Sequence, residues 1–119
     1  MFETNKICKL LNIKYPILQG GMAWASDSNL ACAVSDAGGL GIIGGGGRDP
    51  EWVANEIDNA NKITSEAVAL NLPVEGTGDK KAEYIIQSAI ASGINIFTIV
   101  DSNRYLKFLT KYGDDVLII

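Results

Sequence analysis

The sequence predicts a parallel α/β fold, and three observations predict it. Short apolar runs alternate with helix-like stretches along the whole length. Successive runs begin roughly two dozen residues apart, the length of one right-handed strand–helix crossover unit. The runs are apolar throughout rather than at every second position, which is how strands covered on both faces read.

In chain order, a short helix is expected around Ile7–Leu11. The first run, Pro16–Gln19, ends at Gly20-Gly21. Ser26 or Asp27 then caps a helix whose buried face reads Leu30, Ala33, Val34 and Ala37, with Gly38 at the left-handed C-terminal position. The second run, Leu40–Ile43, ends in Gly44 to Gly47. Asp49 and Pro50 form an N-cap and first-turn pair for a helix with Trp52, Val53, Ile57 and Ala60 on one stripe. The third run, Ala67–Leu72, stops at Pro73. Asp79 opens a helix that turns Ala82, Ile85, Ile86, Ala89 and Ile90 inward and closes at Gly93. The fourth run, Ile94–Val100, is rich in β-branched residues. Ser102 caps a last helix through Tyr105, Leu106, Leu109 and Tyr112, closed by Gly113, before a fifth run, Val116–Ile119.

Two architectures satisfy five strands and four helices in strict alternation. A five-stranded flavodoxin-like sheet fits 119 residues as a complete domain. Alternatively, residues 1–119 are a single partial domain, roughly half of a TIM (β/α)₈ barrel of about 250 residues, with the later strands absent. The finish on Leu117-Ile118-Ile119, a strand with no helix to cover it, favours the barrel. The two are distinguished by strand order: sequential for the barrel, 2-1-3-4-5 for the flavodoxin-like sheet.

Composition narrows the function. Apolar residues are 47% and charged residues 20%, as in an ordinary globular domain. The net charge is −4 and the basic residues are scattered apart from Lys80-Lys81, so neither nucleic acid nor an anionic membrane is an expected partner. Cys8 and Cys32 have no metal-ligand spacing and read as small buried or half-buried thiols. The absence of histidine removes Ser-His-Asp chemistry, His-ligated zinc and a histidine base from this chain. The N-terminus lacks the order of a signal peptide, and the longest uncharged runs are too short and glycine-rich to span a bilayer. The cytoplasm is the expected compartment.

Candidate site residues gather where the runs end, the side on which parallel α/β proteins place their sites. Gly39-Leu40-Gly41-Ile42-Ile43-Gly44 spells the dinucleotide fingerprint, but it follows a helix and runs through a strand, the wrong context. Gly44 to Gly47 leave the backbone bare, so a flat ligand could approach it. Gly20 to Trp24 and Asn71 share that rim. Asn71 reads either as a polar site residue or as a turn residue before Leu72-Pro73. Asp101 reads as a helix cap before an acid, and Gly76-Thr77-Gly78-Asp79 as a loop and cap before a phosphate nest.

The blocks Tyr15-Pro16-Ile17-Leu18-Gln19-Gly20-Gly21-Met22-Ala23 and Ala37-Gly38-Gly39-Leu40-Gly41-Ile42-Ile43-Gly44-Gly45-Gly46 resemble the opening of the nitronate monooxygenase family. That family was formerly called 2-nitropropane dioxygenase and includes the FMN-containing enoyl-ACP reductases of fatty acid biosynthesis. The first block, with Trp24, is closer to the reductases, and Ala69-Leu70-Asn71-Leu72 matches the family's third-strand segment. Where the family has glycine-rich sequence after the fourth strand, this chain has Ile99-Val100-Asp101-Ser102. IMP dehydrogenase is a weaker match.

The resemblance implies FMN at a barrel mouth, with Gly21, Met22 and Ala23 against the ring, Asn71 bonding its polar edge, and Gly44 and Gly45 beside it. It implies reduction of an enoyl thioester with NAD(P)H, or oxidation of an alkyl nitronate with O₂. The family's catalytic histidine and phosphate loops come from later strands, so no catalytic residue is assigned here. A chain without them is expected to hold FMN weakly and to self-associate. The competing expectation is a non-catalytic fragment or a small binding module.

Overall fold

The computed structural model describes residues 1–72, 78–100 and 102–119, and the side chains of all of these except 102–104. The Gly76-Thr77 part of the expected loop, Pro73, Asp101 and the capping side chain of Ser102 lie outside the described residues. The elements are α1 (Lys6–Leu11), α2 (Ser28–Asp36), β1 (Gly41–Gly44), α3 (Pro50–Ile63), β2 (Val68–Leu72), α4 (Asp79–Ala91), β3 (Ile96–Ile99), α5 (Ser102–Leu109), a 3₁₀ stretch (Thr110–Asp115) and β4 (Leu117–Ile118). Among the described residues no helix is long and apolar enough to cross a membrane.

Local chemistry sets the helix ends. Asn5 accepts from Ile7 and Cys8 N–H to start α1, Asp27 accepts from Leu30 N–H to start α2, and Asp49 followed by Pro50 starts α3. Of the two caps proposed for α2, Asp27 is therefore the one used. At its other end, Gly38 N–H reaches Ser35 C=O and Gly39 N–H reaches Val34 C=O. This pair of bonds requires a left-handed residue, and Gly38 supplies it at φ 101°. The same two bonds recur after α4, from Gly93 to Ile90 and from Ile94 to Ala89. The last helix departs from expectation: α5 stops at Leu109, and the 3₁₀ stretch carries the chain past Tyr112 and a non-helical Gly113.

The sheet has four parallel strands in the order β1-β2-β3-β4. Sequential order excludes the flavodoxin-like alternative and is that of a barrel segment. The first predicted strand, Pro16–Gln19, is corrected to a single parallel bridge, Leu18 to Leu40, beside β1. Gln19 explains why pairing stops there. Its side-chain amide takes over the next rung, donating to Ile42 C=O at 3.1 Å and lying 3.4 Å from Ile42 N–H, while the main chain veers off at Gly20.

The sheet divides the core in two. Ile43, Val68, Leu70, Leu72 and Phe97 point outward under the helices with Val53, Ile57, Ile85, Ile86 and Tyr105. Leu40, Ile42, Ala69 and Ile96 point to the other face, where Leu11 of α1 covers them. This alternation of rows is how barrel strands separate an interior from a helix-facing exterior.

The stripes expected on α3 and α4 are buried, with Trp52 and Ile90 at their margins. On α5, Phe108 takes the buried place expected of Leu106. The face expected for α2 is wrong. Ala31, Cys32 and Ser35 are buried, whereas Leu30, Ala33 and Ala37 are exposed and Val34 is half-buried. The cause is Gly41. A Cβ there would stand 2.5 Å from the Ala31 carbonyl carbon and 2.7 Å from Ser35 Oγ. The bare strand backbone thus draws in the small-residue face of α2, and Ser35 Oγ seals the contact by accepting from Gly41 N–H and donating to Ala67 C=O. Cys8 and Cys32 are free, buried thiols, as their sequence setting predicts.

Candidate active-site rim

The inward row of the sheet ends in a polar rung. Gly44 pairs with Asn71 and Asn71 with Thr98, at the C-terminal ends of three adjacent strands. Asn71 Nδ2 donates to Thr98 Oγ1 at 2.8 Å, which turns its Oδ1 away from β3. Its main-chain carbonyl accepts from Gly45 N–H at 3.0 Å.

The loop after the first run, residues 20–24, lies across this rung. A Cβ on Gly21 would sit 2.6 Å from Asn71 Cγ, and one on Gly44 would sit 2.7 Å from the Met22 carbonyl carbon. Both glycines therefore serve close packing of backbone on neighbour. A Cβ on Gly45 would stand 2.7 Å from Asn71 O. All six residues named from the sequence, Gly21, Met22, Ala23, Gly44, Gly45 and Asn71, form one contiguous patch. The expectation that Met22, Gly45 and Asn71 share a rim holds geometrically.

Two side chains that sequence reasoning left out of the site shape this loop. Ser26, almost fully buried, accepts from Met22 N–H at 3.0 Å and from Gln19 Nε2 at 2.7 Å. The Met22 carbonyl accepts from both Ala25 and Ser26 N–H. Gln19 belongs to the Gly-Gly block, and its polar side chain in an apolar run was the available signal. Arg48 is the third omission. Its Nε donates to Ala23 C=O at 2.9 Å across 25 residues of sequence.

The N–H groups of Gly21 and Ala23 bond to nothing among the described residues. Met22 is exposed, and Gly21, Ala23 and Asn71 are half-exposed. The rim thus offers two open N–H donors, an amide oxygen and a thioether on a surface lined by backbone. None of the six residues ionises near neutral pH. Such a surface can bind and orient a flat ligand with an acceptor edge, and it supplies no proton donor of its own.

Comparison with known proteins identifies the family and the fold. The family model for nitronate monooxygenase matches residues 4–119. A probable nitronate monooxygenase of Staphylococcus aureus (strain JH9) is 38% identical over 72 residues, which are 60% of this chain and 20% of the relative. The structure of FabK from Thermotoga maritima superposes with a TM-score of 0.81 at 30% identity, over 95% of this chain and 35% of that one. Nitroalkane oxidase from Streptomyces ansochromogenes shares the fold, with a TM-score of 0.70 at 19% identity over 94% of this chain and 41% of that one. The chain spans about a fifth of its curated relatives and between a third and two-fifths of these solved ones. Because the family match runs through both glycine blocks and the Asn71 strand, the chain belongs to the nitronate monooxygenase family.

Proposed function

We propose that this rim is the ring-binding half of an FMN site in an oxidoreductase of the nitronate monooxygenase or enoyl-ACP reductase type. The observation that carries the reading is the convergence of two loops and the end of β2 on one patch, where Gly21 and Ala23 present unbonded N–H groups beside the Asn71 amide. Bare glycine backbone lets an aromatic ring lie flat, and the open donors match the carbonyl and nitrogen acceptors along a flavin's polar edge. FMN, when bound, supplies the redox chemistry, which is reduction of an enoyl thioester with NADH or NADPH or oxidation of an alkyl nitronate with O₂.

This chain's residues do the rest. Asn71, locked by Thr98, orients the ring edge. The loop held by Gln19 and Ser26 covers one side, and Met22 shields it from water. The proposal takes the protein as cytoplasmic and self-associating, with an acyl thioester or a small nitronate as substrate.

The test is titration of FMN onto the 119-residue chain, followed by the visible flavin band and by flavin fluorescence. Saturable binding weaker than micromolar is expected, and Asn71→Leu should abolish it. Absence of saturable binding, or binding indifferent to Asn71→Leu, would overturn the assignment. Consumption of NADH or NADPH with an enoyl thioester, against O₂ uptake with an alkyl nitronate, separates the two chemistries in the family's full-length protein.

A further inference from the structure

Arg48 lies just beyond the glycines that follow β1, and its guanidinium is held in an unusual way. The guanidinium carbon stands 4.1 Å from the centroid of the Trp24 ring and 4.2 Å from that of Trp52. Both aromatic contacts are within cation–π range. Nε donates to Ala23 C=O at 2.9 Å. Among the described residues Arg48 makes no ion pair, so two cation–π contacts and one hydrogen bond hold it. Only a planar cation can engage indoles by its faces while donating from its edge, and an ammonium cannot.

The two tryptophans differ. Trp52 sits in the first turn of α3 and packs against the helix-side core. Trp24 is 74% exposed, so burial does not hold it. Its ring lies against Arg48, and Gly47, at φ 67°, carries no side chain beside it, where a Cβ would stand 3.7 Å from Trp24 Cζ2. Arg48 thus ties the exposed end of the 20–24 loop to the start of α3. The peptide joining Met22 to Ala23 is already pinned, because Met22 C=O accepts two N–H groups. The next peptide, Ala23 to Trp24, is pinned by Arg48.

We propose that Arg48 is a positioning residue for the flavin rim. It clamps residues 20–24 between the loop after β1 and the start of α3, in the shape that keeps the Gly21 and Ala23 N–H groups aimed outward. This inference rests on the FMN reading for its purpose, while the clamp itself stands on geometry.

The experiment compares wild type with Arg48→Met, Arg48→Lys and Trp24→Leu, each as the whole chain. Amide exchange is read at Ala25 and Ser26, whose N–H groups bond to Met22, and FMN affinity and visible band shape are read by titration. Arg48→Met should speed exchange at both amides and weaken FMN about tenfold, the effect of losing one charge-assisted hydrogen bond. It should also change the bound flavin's band shape and leave exchange in α4 unaltered. Arg48→Lys should rescue neither property, and Trp24→Leu, which alters an exposed side chain, should loosen the loop in the same direction. If Arg48→Met unfolds the chain, the Lys and Leu variants decide. Unchanged exchange at Ala25 and Ser26 overturns the clamp. Faster exchange with wild-type FMN affinity overturns its role in positioning. If wild type shows no saturable FMN binding while the loop still loosens, the clamp is supported and the FMN reading alone fails.

Discussion

At the scale of single residues, the rim depends on atoms that are missing. Gly21→Ala would drive a Cβ into Asn71, at 2.6 Å from its Cγ, with no flexible tip to yield. Overpacking of this kind costs about 1–3 kcal/mol, and it would displace the amide that faces the ligand. A lower urea midpoint together with lost FMN binding is the expected result, whereas Gly20→Ala, which meets nothing within 4 Å, should leave the midpoint unchanged.

Cys32 offers a pH-dependent test. Burial raises its thiol pKa above the ordinary value, and the charges of Asp36, Asp27 and Glu56 push in the same direction. A raised pKa in the folded chain means that folding favours the protonated thiol. That contribution is fully present below the ordinary thiol pKa of about 8.5 and is lost as pH rises through the raised value. Stability measured by urea between neutral and strongly basic pH should therefore fall more steeply in wild type than in Cys32→Ala.

At the scale of elements, α2 is the case where pattern and packing disagree. Its larger apolar side chains, Leu30 and Val34, point outward or lie half-covered, because Gly41 admits the Ala31 side against the strand. Gly41→Ala should be among the most damaging single substitutions in the chain, costing more than about 3 kcal/mol. Leu30→Ala should cost less than about 1 kcal/mol, since the side chain is already partly in water. Removing the cap with Asp27→Ala should cost about 1 kcal/mol. Denaturant unfolding of the three variants checks the order, and a Leu30 effect larger than that of Gly41 would show α2 packed by its other face.

At the scale of the whole molecule, both flanks of the sheet lack a further strand among the described residues. Leu18 is tied to Leu40 through its neighbours Ile17 and Gln19, so its own N–H and C=O point away, and on the other side the Ile118 backbone does the same beyond β4. Apolar surface accompanies the first of these flanks. Tyr15, Ile17, Ala33, Val34, Ala37 and Gly39 line a shallow hollow of about 300 Å³. Unpaired parallel edges beside exposed apolar side chains favour association. Sedimentation should show mass rising with concentration, and Ile17→Lys with Val34→Glu should shift the population toward monomer. A monomer at all concentrations would contradict this expectation.

The alternation of strands and helices was legible in the sequence because it is written in local rules. Capping residues and glycine stops act within a few positions of themselves, and doubly covered strands need unbroken apolar runs. The rim residues were legible too, as small residues at strand ends followed by Asn71. What tertiary structure alone decided depends on contacts between distant positions. Gln19 replaces a ladder rung on Ile42, so the first run makes a bridge and no strand. Ala31 meets Gly41, and α2 turns its less apolar face inward. Arg48 finds Trp24, Ala23 and Trp52 at once. No periodicity within one segment encodes these partners, because each is chosen by how closely two backbones approach, and that distance exists only once the sheet has formed.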